Sequence, residues 1–439
     1  MTWLGILCAS ATLAASAGGP ATGDWPQWRG PARDGVAAGF VAPKSWPATL
    51  TRVWSVTVGE GHSNPVVSGD RVFLHSREGD KEVVRCLRLS DGGAAWTESW
   101  PIAYEMHPAA TEHGKGPKST PALAGGTLYT LGITGVLSAL DADSGRTIWR
   151  KEFAGQFPAT APQYGTATSP LVDHGLVIAY VGGFHDGSLT AFDAKTGEPR
   201  WSLKGEGPGY ASPIVAELGG VRQIVTQSDQ SIIGVDPATG KLLWKLPLVT
   251  PYDQNAVTPL VVGDLLIVSG IEYGLRAYRP EKGGDAKTAV LTPREVWNKP
   301  EVSLYMSSPV VAEGRLFGFS HRKSGHLFCL EPKTGRVVWT GAGHEGSNMA
   351  LVSAGDVVLA LNDASELFVL AAGAPGFAPV ARYSVADSPT WAHPVPVSGG
   401  ILIKDKTRLS LWSWEAKNTG PASSYNAHGT PRTTLSEAR

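Results

Sequence analysis

Cysteine is nearly missing from this chain: there are three in 439 residues, Cys8, Cys86 and Cys329, with no adjacent pair and no Cys-x-x-Cys. Histidines are scattered singly, without His-x-x-x-His spacing, so a structural metal finds no ligand pattern here. Excess charge of either sign is also missing. The 38 Lys and Arg against 39 Asp and Glu give a net charge of -1, which removes any global electrostatic drive toward nucleic acid or an anionic membrane. Charged residues are 18% of the chain, too few for a coiled coil. Past the N-terminus the apolar runs are 4–8 residues long, against the ~20 a membrane-spanning helix needs. No glycine-rich loop follows a strand and opens a helix, so nucleotide chemistry has no foothold.

What is plentiful points to turns and strands. The chain has 53 Gly, 32 Pro and 15 Trp, with 42% hydrophobic residues, enough for a core and punctuated throughout by turn formers. Residues 1–17 carry no charge and end in Ala15-Ser16-Ala17, the small-x-small pattern of a signal-peptidase site, so the chain is expected to be exported, periplasmic or secreted. Gly5-Ile6-Leu7 ahead of Cys8 is a poor lipobox, and no lipid anchor is expected.

One signature returns along the chain: an apolar strand ending in an acidic residue, a turn with Gly, then a short strand ending in Trp. Its best copies are 139–149, 191–201, 234–244 and 329–339, with weaker ones at 86–96 and 277–284. Upstream of each lies Ser, Thr or Asn before Pro, as at Pro65, Pro121, Pro170, Pro213, Pro259 and Pro309, with degenerate copies at Ala350 and Pro394. Successive copies are 41 to 56 residues apart, and about four strands fit each unit. Eight such units predict an all-β, eight-bladed β-propeller with four antiparallel strands per blade. In the third unit the strands read Leu171–Val172, Leu176–Val181, Ser188–Asp193 and Pro199–Leu203.

In 141–149, Asp141 is expected to accept backbone amides of the turn, Gly145 to take the left-handed conformation, and Trp149 to stack over its own turn. Six residues before each turn Gly stands a small residue: Cys86, Ala139, Ala191, Gly234, Ala277 or Cys329. This predicts tight packing between blades. It also puts the two cysteines about three blades apart, too far for a disulfide, as buried free thiols. The last unit has three strands only. Thr51–Val58, with Trp54 in the place of the blade Trp, is expected to supply the fourth and close the ring. The reading is then a leader over 1–17, an N-terminal extension over 18–50, a propeller over 51–415 and a polar, disordered tail over 416–439.

The Leu-Asp-x-x-Thr-Gly-x-x-x-Trp units resemble the pyrroloquinoline quinone (PQQ) repeat, and 24–36, DWPQWRGPARDGV, resembles the N-terminal signature of secreted bacterial PQQ-binding-like β-propellers. Within that clan the chain is similar to the outer-membrane assembly factor BamB. The resemblance implies a non-catalytic propeller acting as a scaffold or binding module. The alternative it leaves is a PQQ- and Ca²⁺-dependent quinoprotein dehydrogenase oxidising an alcohol or sugar. Such enzymes have long inter-blade insertions and an adjacent cysteine pair, and this chain departs from both. No catalytic residues and no firm cofactor are assigned.

A ligand site is expected at the mouth of the axial channel, where the loops leading into the Pro-anchored inner strands converge. The candidates there are His62, Lys118, Tyr164 and Tyr210; then Asp253, Asn255 and Tyr305; then Glu345, Asn348, Trp391 and His393. Such a ring suits a polar small molecule or a segment of a protein partner. Glu345 and Asn348, with Asp253 and Asn255, are the oxygen donors for a hard cation such as Ca²⁺, and Trp391 is the stacking platform. His107 and His113 share the longest insert, 99–118, and are expected to be solvated.

Overall fold

Turn chemistry divides each repeat into four short strands, and these pair antiparallel in chain order from the axis outward. The computed structural model describes residues 23–153, 162–282 and 291–415. The expected leader, Cys8 and the polar tail lie outside the described residues. In the third blade the strands are Leu171–Asp173, Leu176–Val181, Ser188–Asp193 and Pro199–Lys204. Eight four-stranded sheets of this kind form the ring. Thr51–Thr57 pairs antiparallel with Arg408–Ser413 as the outer strand of the eighth blade, so the first strand of the chain completes the last sheet. No strand edge is left open at the junction.

The core is a set of layers between blades rather than one centre. Tyr129, Leu137 and Ala139 of the second blade meet Val177, Ala179 and Phe192 of the third, all buried. Equivalent layers join the other neighbours, and the layer spanning the seventh, eighth and first blades also takes in Trp25 from the N-terminal extension.

At the rim, Asp193 Oδ1 accepts the amides of Lys195 and Thr196, both at 3.0 Å, which pins the turn. The tryptophans do not stack on their own turns as expected. Trp149 of the second blade lies against Gly197 of the third, where a Cβ would come within 2.8 Å of the indole, and its Nε1 donates to Ala194 O at 3.0 Å. Gly197 has φ +70°, so both its missing side chain and its left-handed backbone are required. Trp54, Trp96, Trp201 and Trp297 make the same donor bond to the next blade's turn. The reason lies across the outer hairpin. Except for Trp54, which faces Leu411, each of these tryptophans is paired with the small residue of the third strand, as in Ala139↔Trp149 and Cys86↔Trp96, and its face is left turned toward the neighbouring blade. Small side chains are needed there to seat the indole. Cys86 and Cys329 are free and fully buried at these positions, and burial raises both thiols to about 11.

A second belt runs round the inner edge. The Ser, Thr or Asn near each Pro bonds to its neighbour: Asn64 N donates to Thr120 Oγ1, Thr120 N to Ser169 Oγ and Ser169 N to Ser212 Oγ. Farther round, Thr258 N donates to Ser308 Oγ, Met349 N to Ser307 Oγ and His393 N to Asn64 Oδ1, which joins the eighth blade to the first. The recurring hydroxyl before Pro is thus an inter-blade tie.

Candidate functional site

Inner strands of a propeller present one unpaired edge to the axis, and those carbonyls need donors. Here the donors come from the N-terminal extension, which is not a separate appendage but a loop folded into the channel. It enters from the face opposite the mouth: Asp24 Oδ1 accepts Gly69 N at 2.8 Å, and Trp25 pairs with Val67 of the first blade. It leaves on the same side, with Ala37 N donating to Ser353 O of the seventh blade. Between these ends Arg29 donates to Ser308 O and Pro309 O of the sixth blade, while Arg33 reaches Ser169 O and Pro170 O of the third. Both guanidiniums are buried and bonded chiefly to carbonyls. Desolvation lowers Arg29 to about 10 and Arg33 to about 9, and both keep their charge at neutral pH. Five fixed donors per side chain explain why arginine, not lysine, serves here. Both residues hold left-handed backbone at φ 58°, a conformation that survives only where surrounding contacts dictate it.

Trp28 forms the tip of this plug. Its Nε1 donates to Thr258 Oγ1 at 2.9 Å and its ring lies 4.7 Å from that of His393. The indole floors a cavity of about 150 Å³ at the mouth. Around it stand His62, Lys118, Tyr164 and Tyr210 on one side and Tyr305, Asn348, Trp391 and His393 on the other. These are eight of the eleven sequence candidates.

The other three are turned elsewhere. Asn255 is fully buried, its Nδ2 donating to Ser228 O and Asp229 O and its Oδ1 accepting Thr250 Oγ1, so it pins a loop. Asp253 faces His185, 3.5 Å from Nε2, because Tyr252 and Asp253 at φ 63° and 56° reverse the chain. Glu345, on the loop between the sixth and seventh blades, is turned back to the sixth, where its carboxylate accepts Leu327 N at 2.6 Å. The expected oxygen-donor set of Asp253, Asn255, Glu345 and Asn348 therefore does not assemble: only Asn348 reaches the cavity, and its Oδ1 accepts Ser307 Oγ.

His113 is not solvated as the sequence suggested. The 99–118 insert forms a short 3-10 helix, Pro108–His113, capped by His107 Nδ1, and swings His113 into the cavity. The rings of Trp391 and Tyr164 lie 4.7 and 5.5 Å from His113. His62 Nε2 donates to His113 O at 2.9 Å, which fixes its tautomer. Desolvation, then the charge of Lys118, holds both imidazoles below their usual range, so they are neutral at pH 7. Desolvation and Arg29 push His393 down to about 3.

Ca²⁺ takes six to eight oxygen ligands at about 2.3–2.6 Å, carboxylates prominent among them. No Asp or Glu lines the cavity, and among the described residues no group of three or more His, Cys, Asp or Glu side chains is placed to hold a metal ion. A space of about 150 Å³ is that of a site holding one benzene ring, not a three-ring quinone. The residues present do not fit PQQ with Ca²⁺, and no step is derived through them.

With this geometry in hand, the relatives are informative. Residues 80–341 match the family model described as outer membrane protein assembly factor BamB. The BamB of Yersinia pestis is 27% identical over 264 residues, a match spanning 60% of this chain and 60% of that protein's own length. Crystallised BamB from Moraxella catarrhalis superposes with TM-score 0.60 at 16% identity, covering 83% of this chain and 98% of that one. The quinohemoprotein alcohol dehydrogenase of Comamonas testosteroni gives TM-score 0.66 at 15% identity, covering 93% and 83%; at such identity the likeness is one of fold. The chain is a PQQ-repeat β-propeller and belongs to the outer membrane protein assembly factor BamB family.

Proposed function

We propose that this chain is an exported, non-catalytic scaffold whose channel mouth docks a segment of a protein partner. One observation carries the reading: the channel is closed from below by the chain's own plug, which turns its mouth into a shallow, aromatic-walled cup. Such a cup accepts a side chain or short segment from above and gives no passage through the ring. The relatives' name, outer membrane protein assembly factor, supports a partner taken from outer-membrane assembly. Export rests on the residues 1–17 pattern, and no helix among the described residues is long and apolar enough to cross a membrane.

A photo-crosslinking residue in place of Tyr305, at the mouth, compared with one in place of Ile148, at the rim, tests this in cells. Adducts to an envelope protein from the Tyr305 position and none from Ile148 are expected. Adducts confined to the rim position would move docking off the mouth. PQQ and Ca²⁺ added to the purified protein should leave it inactive in dye-linked alcohol oxidation. Turnover there would replace the scaffold reading with the dehydrogenase one.

A further inference from the structure

The cup has a charge that no carboxylate in its lining balances. Among the described residues Lys118 is the one Lys or Arg lining it, and the one hydrogen bond of its Nζ is a long one, to Gly114 O at 3.5 Å. An ammonium carries three donors, and this one spends them on a long bond and on the cavity. No carboxylate lines the walls, and below the Trp28 floor lie Arg29 and Arg33, whose hydrogen bonds run mainly to carbonyls. Loss of solvation pulls Lys118 down to about 8, and no acidic neighbour opposes the shift. Its charge in turn depresses both His62 and His113. The mouth therefore holds a cation in a partly desolvated space, where the exposed Glu112 opposes it only at His113, an arrangement that favours an anion.

Shape supplies the rest. Trp391 and His113 face each other edge to face at 4.7 Å, His62 stands 5.8 Å from the same indole, and Tyr164 continues the wall. Met306 and Met349 add deformable apolar contact. The volume of about 150 Å³ equals that of a known cavity that takes up benzene.

We propose that the mouth cavity binds a single-ring aromatic carboxylate, with Lys118 as its counter-ion and Trp391 with His113 as its ring walls. The carboxylate supplies the acceptors that the Lys118 ammonium lacks, and the ring lies in the cavity against the wall that the Trp391 and His113 pair forms. This deepens the docking reading by naming the chemistry that the cup prefers.

Calorimetric titration of the full chain at neutral pH with benzoate, benzamide and benzylamine tests it, because the three share a ring and differ in charge. Benzoate should bind about tenfold more tightly than benzamide, and benzylamine should not bind. Lys118→Gln should cost benzoate about tenfold while leaving benzamide unchanged, and Lys118→Arg should stay within about threefold of the parent. Equal affinity for benzoate and benzamide, or no heat from benzoate up to roughly 20 mM, overturns the proposal without any variant. So does a folded Lys118→Gln protein that binds benzoate as the parent does. If Lys118→Gln does not fold, Trp391→Leu should weaken benzoate and benzamide alike, and an unchanged benzoate affinity places the site elsewhere. Crosslinking from Tyr305 reads the partner and the titration reads the cavity, so either reading can fail while the other stands.

Discussion

The rim and the axis of this ring are held together by opposite means. At the rim the same device is stamped repeatedly: an acidic turn, a left-handed Gly, and a Trp from the preceding blade hydrogen-bonded to that turn. Inside the belt of hydroxyl ties at the inner edge, the contacts that fill the axis do not repeat. A single N-terminal loop reaches the first blade with Asp24 and Trp25, the second with Pro26, the third with Arg33, the fifth with Trp28, the sixth with Arg29 and the seventh with Val36. Redundant local contacts make the rim tolerant, since one latch lost leaves its fellows in place. The plug has one copy of each contact, so a loss there is felt across the ring.

The sharpest way to break this contrast is Arg29→Ala. It strips donors from Ser308 O and Pro309 O of the sixth blade and from Asp34 O, and leaves a cavity. A loss of about 4 kcal/mol in denaturant unfolding is expected. Hydrogen exchange should rise in blades on both sides of the channel, and Arg29→Lys should recover only part of the stability. Trp149→Ala should cost about 3 kcal/mol, near the low end for burying and then deleting an indole. Its faster exchange should be confined to the second and third blades. Exchange that spreads equally in both variants would show that rim and axis form one cooperative unit.

Between pH 7 and pH 5 acidification probes the axis first, since the rim carboxylates held low by their turns and arginines lose stability only below about pH 4. His393 is 4% exposed, and its folded-state value of about 3 lies below the unfolded value of 6.5. A depressed value means the stability is fully present above pH 6.5 and is lost as pH falls toward 3. By pH 5 the loss from this group is about 2 kcal/mol. His62 acts in the same direction. Thermal melts at pH 7 and pH 5 should show the drop, and His393→Gln should shrink it. The smallest effect belongs to the rim. Cys86 and Cys329, with thiols raised to about 11 and no exposed surface, should react with a thiol reagent only after denaturation. Rapid labelling of the native protein would mean that the inter-blade layers open on their own.

The rim was legible because its information is local. Asp193, Gly197 and Trp201 lie within nine positions, and the strands Leu176–Val181 and Ser188–Asp193 stand where alternation and turns placed them. Legibility stopped at the destination of the indole, since pairing inside a hairpin does not say which face meets the next blade. At the mouth, position before Pro was a sound guide for Tyr164, Asn348 and His393. It misled at Asp253 and Glu345. Left-handed residues turn both loops, Tyr252 and Asp253 in one and His344 with φ 62° in the other, and periodicity carries no sign of such reversals. Trp28 was beyond reach for a different reason: it meets Thr258 across 230 positions of sequence. A signal existed all the same. Two Trp and two Arg stand within 25–33, ahead of a ring whose inner edges lack donors, and asking where those carbonyls find partners leads to the extension.

The plug also answers a question of number. A ring enlarged by copying blades has nothing at its rim that counts them, because each latch refers only to the next turn. A ring of seven or nine blades would satisfy these latches as well as one of eight. The N-terminal loop is a gauge of fixed width: Arg29 and Arg33 must touch the sixth and third blades at once, and Trp25 and Val36 the first and seventh. Ring diameter grows with blade number, so only one circumference lets all four meet their marks. Duplicating a blade should therefore leave a ring whose rim closes and whose centre rattles, because eight blades give the bore that this chain's own N-terminus fits.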